Sequence, residues 1–312
     1  MFNGSFFEAM HTAIVILTSF FLLLPWPSEF PQAQGQATIG PPPPPTQRDH
    51  VLFDRVIENQ KKNDAAMDVY ERIERVETHR TTGENQTTEV KTSRVVPAGT
   101  GAAHIPVGPD GKAADAAAYR VELEKLEKSL VWAADTGRAQ HDAYERIAKK
   151  RREREELIGA ARNAFIFTLL SNEQRNGRTL LKYSMTPNPA FKPTSRSTSV
   201  YAHVRGTVWI DEDSGELARI EGEVMDDISL GLFLAKVYRG SHFMQERYEM
   251  APGLWLPTFS QYDFDGRKFL ASFSLHERTF YSTYRLVGTP KEALAMVRAE
   301  LKNLHSASRA SP

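Results

Sequence analysis

Few residues in this chain have the type and spacing to do chemistry, and they are widely scattered. His242 and Glu246 stand four apart, as two metal ligands would on one face of a helix. Their segment alternates like a strand, however, which puts both on one side of a sheet without bringing them close. Asp211, Glu212, Asp213 and Gly215 have a calcium-like composition, but so short a loop lacks the later oxygen ligands such a site requires, and a polar hairpin turn is expected instead. Asp226-Asp227 reads as another strand-end turn, and His203 beside Arg205 as surface on a polar strand face. The chain has no cysteine, which excludes disulfides, thiolate metal sites and a cysteine nucleophile. Nucleophile-elbow, zincin, Walker and dinucleotide motifs are all missing from the sequence. The expectation is therefore a protein without catalytic residues, metal or cofactor.

The elements that would position these residues are clearer. Residues 13–24 form an apolar run of signal-peptide length, well short of the roughly 20 needed to span a bilayer. Small residues at Ala33 and Gly35 suit cleavage before Gln36, with the true start at Met1 or Met10. Residues 1–35 are thus expected to be a signal peptide, giving a periplasmic or secreted protein that does not span a membrane after cleavage. Residues 36–47 carry five consecutive prolines, a polyproline II spacer extending roughly 3.1 Å per residue.

From residue 48 the periodicity predicts one domain to residue 304. Asp49 caps a short amphipathic helix bearing Val51, Leu52, Val56 and Ile57. A hairpin follows over 69–79 and 87–96, then a Gly- and Pro-rich loop over 97–112. Residues 113–161 switch to a helical pair, with Leu123, Leu126 and Leu130 on one stripe. Its run of eight charged residues, 149–156, reads as a solvated face with pairs such as Lys149–Glu153. With formal net charge +0 and no base-stacking aromatics in that run, a nucleic-acid partner is not expected.

Residues 165–287 read as antiparallel strands. Asn176-Gly177 marks a tight hairpin. Val204, Val208 and Ile210 share an apolar face with Ile220 and Val224, and Gly206 and Gly222 on that face would ease bending or leave room for a ligand. Further strands are expected over 232–239, 243–250, 255–264, 268–276 and 280–287. Thr289-Pro290-Lys291-Glu292 signals the start of a C-terminal helix running to about residue 304, with 305–312 as a tail. The fold class is α+β, mainly β: a curved antiparallel meander or barrel with an inserted helical pair and a C-terminal helix.

Gly206-Thr-Val-Trp-Ile-Asp211, the turn after it, Leu217-Ala-Arg-Ile-Glu221 and Gly253-Leu-Trp-Leu-Pro257 resemble the LolA/LolB-like periplasmic lipoprotein carriers, in a branch with a helical insert. The resemblance covers roughly residues 160–287. It implies a LolA-like curved antiparallel half-barrel, unclosed around an apolar cavity, with helices as plug or lid, and a lipid or lipidated protein as partner. The candidate cavity residues are Val204, Val208, Ile210, Ile220, Val224, Phe233, Phe273 and, from the helical insert, Leu126. Two alternatives stay open: an envelope protein–protein interaction module with a filled barrel, and a hydrolase of a lipid-like substrate for which the sequence names no nucleophile with a base.

Overall fold

The computed structural model describes residues 47–195, 197–230, 235–269 and 271–310. The expected signal peptide, the proline spacer and Phe233 lie outside the described residues. In chain order the elements are α1 (Gln47–Ala66), β1 (Tyr70–Thr82), β2 (Asn85–Pro97), β3 (Ala102–Pro106), α2 (Ala116–Ala133), α3 (Arg138–Ala164), β4 (Phe165–Arg175) and β5 (Arg178–Pro187). A 3₁₀ turn over Thr198–His203 leads to β6 (Val204–Asp211), β7 (Leu217–Val224), β8 (Ile228–Leu230) and β9 (Ala235–Val237). The chain ends with β10 (His242–Ala251), β11 (Leu254–Lys268), β12 (Ala271–Leu286) and α4 (Pro290–Ala310).

The strands form one 12-stranded sheet in the order β3-β2-β1-β12-β11-β10-β7-β6-β5-β4, with β9 joining β8 to β11. The sheet is open, ending at β3 and β4, and the pairings whose register is defined are antiparallel. This is the mainly β fold with an inserted helical pair and a C-terminal helix. No helix among the described residues is long and apolar enough to cross a membrane.

By contacts the chain divides into two units. Among the described residues, the first comprises those within 47–60, 78–88 and 157–278. Asn176 and Gly177 take positive φ values of 51° and 77°, as a two-residue hairpin between β4 and β5 requires. Opposite Gly206 in the register is Gly222, and opposite Gly222 on β10 is Phe243. A Cβ at 222 would run into the Phe243 ring, and one at 206 into the Glu221 carbonyl. The space left by the two glycines is taken by neighbouring protein atoms rather than kept open, which removes ligand room from the two roles expected of them.

The second unit comprises 61–77, 89–156 and 279–310. Its core packs Leu123, Leu126 and Leu130 of α2 with Val297 and Leu301 of α4, Val96 of β2 and Ile105 of β3. At one side Arg94 is buried among carboxylates. It lies 2.8 Å from Glu71 and 2.8 Å from Glu300, and donates to the Tyr119 hydroxyl, which itself donates to Glu300 at 2.8 Å. Burial works against the guanidinium charge, but Glu71 and Glu300 outweigh it and hold Arg94 above its ordinary range. The basic run on α3 is partly engaged as well, with Arg154 donating to Asp64 at 2.9 Å and Arg151 to Asp68.

Several boundaries differ from the sequence reading. Residues 102–106 form β3 inside the expected loop, because they find β2 as a partner. A strand expected from residue 200 by its alternation starts only at Val204, because 200–203 complete the 3₁₀ turn. The two strands expected over 268–276 and 280–287 are one continuous strand, β12. Residues 232–239 yield only β9 among the described residues, and α4 continues to Ala310 through the expected tail.

Candidate functional site

The apolar face of the first unit is the candidate site. Strand alternation turns Val204, Val208 and Ile210 of β6 to one side, and the register sets Val204 opposite Val224 and Val208 opposite Ile220. These five residues join Leu181, Tyr183, Phe243, Tyr262 and Phe264 in one buried cluster. Phe273 packs against it half-buried. Leu126 does not belong here: at 2% exposure it sits in the core shared by α2 and α4, which corrects its placement with the other candidates. The stripe that singled it out is real, but it faces α4.

The start of α1 covers this face. Leu52, Phe53 and Val56 recur at helical spacing and enter the same cluster, whereas Val51, expected beside them, is exposed. The Phe53 ring stacks on Phe167 with centroids 4.0 Å apart and meets Tyr183 edge-on at 5.1 Å. Burying each such side chain contributes about 1.5–3 kcal/mol. The rest of the attachment is polar. Tyr183 donates its hydroxyl to Asp49 at 2.8 Å, so Asp49 ties the helix to β5 from within α1 rather than capping it. Arg162 donates to Asp54 at 3.0 Å, and Asn59 donates to the carbonyls of Ser214 and Gly215 at 3.1 and 3.0 Å. Polar contacts of this kind are individually modest and exchange with water.

Buried polar groups adjoin this face at two places. Asn59 touches the turn that leads into β7, and the inward edge of α1 changes there from Val56 to Gln60, 4% exposed. On the sheet, Gln245 of β10 lies opposite Ser260 of β11, and Arg247 donates to Gln245 at 2.8 Å. Ser260 is fully buried. Its Oγ and the Gln60 Oε1 accept or donate no hydrogen bond among the described residues, and each such atom costs roughly 1–3 kcal/mol. The sequence gives little sign of these groups. Gln245 and Arg247 do follow Phe243 at strand period, but polar residues two apart normally indicate a solvated face.

The other motifs considered from sequence are structural. Asp211 accepts from the Ser214 amide at 2.9 Å and hydroxyl at 2.6 Å, closing the β6–β7 turn. Glu246 takes Arg175 at 3.1 Å and Arg219 at 2.7 Å. Among the described residues, no group of three or more His, Asp or Glu is placed to hold a metal ion.

No protein-family model and no curated protein matches the chain. It is similar to solved structures of a LolA superfamily protein from Nitrosomonas europaea, with 10% identity, TM-score 0.28, and coverage of 78% of this chain and 96% of that one. A domain assigned to outer-membrane lipoprotein sorting, from Vibrio parahaemolyticus, is similar at 11% identity and TM-score 0.28, covering 75% and 93%. A DUF1329 family protein from Desulfovibrio piger is similar at 10% identity and TM-score 0.26, covering 76% and 92%.

Proposed function

We propose that the protein is an exported carrier or sensor that shelters the acyl chain of a lipid or lipidated protein on the apolar face of its first unit, in place of the inserted edge of α1. The observation that carries this reading is the construction of α1. Three apolar side chains enter the sheet face, and exchangeable polar contacts hold the remainder. Burying an acyl chain is worth about 0.8 kcal/mol per methylene, so a chain of ordinary length can offset the loss of Leu52, Phe53 and Val56 from the face. The unpartnered Gln60 Oε1 and Ser260 Oγ support it further, since a polar group of a ligand reaching either would satisfy it.

The absence of native cysteine allows a clean test. Asn59→Cys with Ser214→Cys, made in a chain beginning at Gln36, clamps α1 when oxidised. A fluorescent fatty-acid probe should bind the reduced protein and lose at least tenfold in affinity on oxidation. Equal binding in both states rejects the role of α1. Binding in neither favours the second reading, an envelope interaction module with a filled core, to which the Phe243 ring packed over Gly222 already inclines.

A further inference from the structure

Two strands of the first unit carry a constellation that neither the carrier reading nor the sequence motifs use. Ser274 and His276 are two apart on β12, so strand alternation sets them on one face, and Asp263 reaches them from β11. The Ser274 Oγ lies 3.1 Å from His276 Nε2, and His276 Nδ1 lies 2.7 Å from Asp263 Oδ1. Asp263 is itself oriented, its second oxygen accepting from the Gln261 amide. An ionised carboxylate only accepts, so in neutral His276 the Nδ1 proton points to Asp263 and the Nε2 lone pair faces the serine hydroxyl. That is the tautomer base catalysis requires. The imidazole is 52% exposed and the carboxylate 33%, so a substrate can approach from solvent.

We infer that Ser274, His276 and Asp263 act as a nucleophile–base–orienter relay that hydrolyses activated carboxylic esters. The Ser274 Oγ attacks the ester carbonyl carbon while its proton passes to His276 Nε2. The bond to the alkoxy oxygen then breaks, and the leaving alcohol takes that proton. Water next attacks the acyl-serine, giving one proton to Nε2. The acyl–Oγ bond breaks, the acid leaves, and the proton returns to Ser274. Ester and water become acid and alcohol with no other reactant. β12 is hydrogen-bonded between β1 and β11, so its backbone amides are engaged in the sheet rather than gathered around an oxyanion. Loss of one such donor costs about 10²–10³ in rate, which restricts the activity to activated esters and slow turnover.

The test uses p-nitrophenyl acetate on the chain beginning at Gln36. One nitrophenolate per chain should be released in a burst, with the acetyl group found on the peptide containing Ser274. Ser274→Ala should abolish the burst. His276→Gln should slow acylation about 100-fold and regain rate with added imidazole. Asp263→Asn, which favours the wrong tautomer, should slow acylation and alter its pH profile while leaving the circular dichroism spectrum unchanged. Acetyl groups only on lysines, a burst that persists in Ser274→Ala, or variants that acylate at the parent rate would each overturn the assignment.

Discussion

The two units close their cores by opposite means. In the first, α1 lays apolar side chains on a sheet face and is held by separate polar contacts rather than a buried ion network. In the second, α2 and α4 are packed beside a buried guanidinium that engages carboxylates from β1 and α4. A core closed by hydrophobic insertion can exchange its cover for another apolar group. Removing one member of a buried ion network leaves uncompensated charge, which ties the elements around it into a single arrangement. The difference locates adaptability in the first unit and rigidity in the second.

The largest expected effect is from Leu126→Asp. It places an unpaired charge in the α2–α4 core and should cost at least about 4 kcal/mol. Hydrogen exchange should rise across Ala116–Ala133 and Pro290–Ala310 with no gain in fatty-acid probe binding. A gain would return α2 to the role of a cover. Arg94→Ala comes next, at about 3–5 kcal/mol by thermal or urea unfolding, because Glu71 and Glu300 lose their shared cation. If it costs under about 1 kcal/mol, the network does not distinguish the second unit.

Val56→Ala should cost about 1–3 kcal/mol and, by loosening the cover, tighten probe binding. Weaker probe binding would mean that α1 forms part of the ligand surface. The smallest effect concerns α4. Glu292 accepts from the Thr289 amide at 2.8 Å and from its hydroxyl at 2.7 Å, and these bonds lower its pKa. A depressed carboxylate contributes stability above its unfolded pKa and loses it as pH falls through the folded value. Melting temperature should therefore drop slightly more in acid for the parent than for Glu292→Gln.

Local signals carried much of this architecture. Asn176-Gly177 fixes a hairpin, Thr289 with Glu292 fixes a helix start, and the alternation across β6 and β7 fixes a buried face. The short β3 escaped because five residues amid Gly and Pro become a strand only when β2 supplies a partner. Val204, Val208 and Ile210 share one buried cluster with Ile220 and Val224, as their strand period suggests, whereas Leu126 enters the candidate set through the resemblance, and its stripe does not say which element it will meet. Convergence across the chain is least legible. Arg94 and Glu300 are 206 positions apart, and Asp263 meets His276 only through the pairing of β11 with β12.

Phe243 and Gly222 have a consequence for how this sequence can drift. A methyl group at 222 and the ring at 243 claim the same volume, so neither position is free to vary alone. Lineages that acquire alanine at 222 must trim 243, while loss of the ring first would open a path to larger residues at 222. Across relatives the two columns should therefore change together, and Gly222→Ala with Phe243→Leu should be milder than either single change leads one to expect.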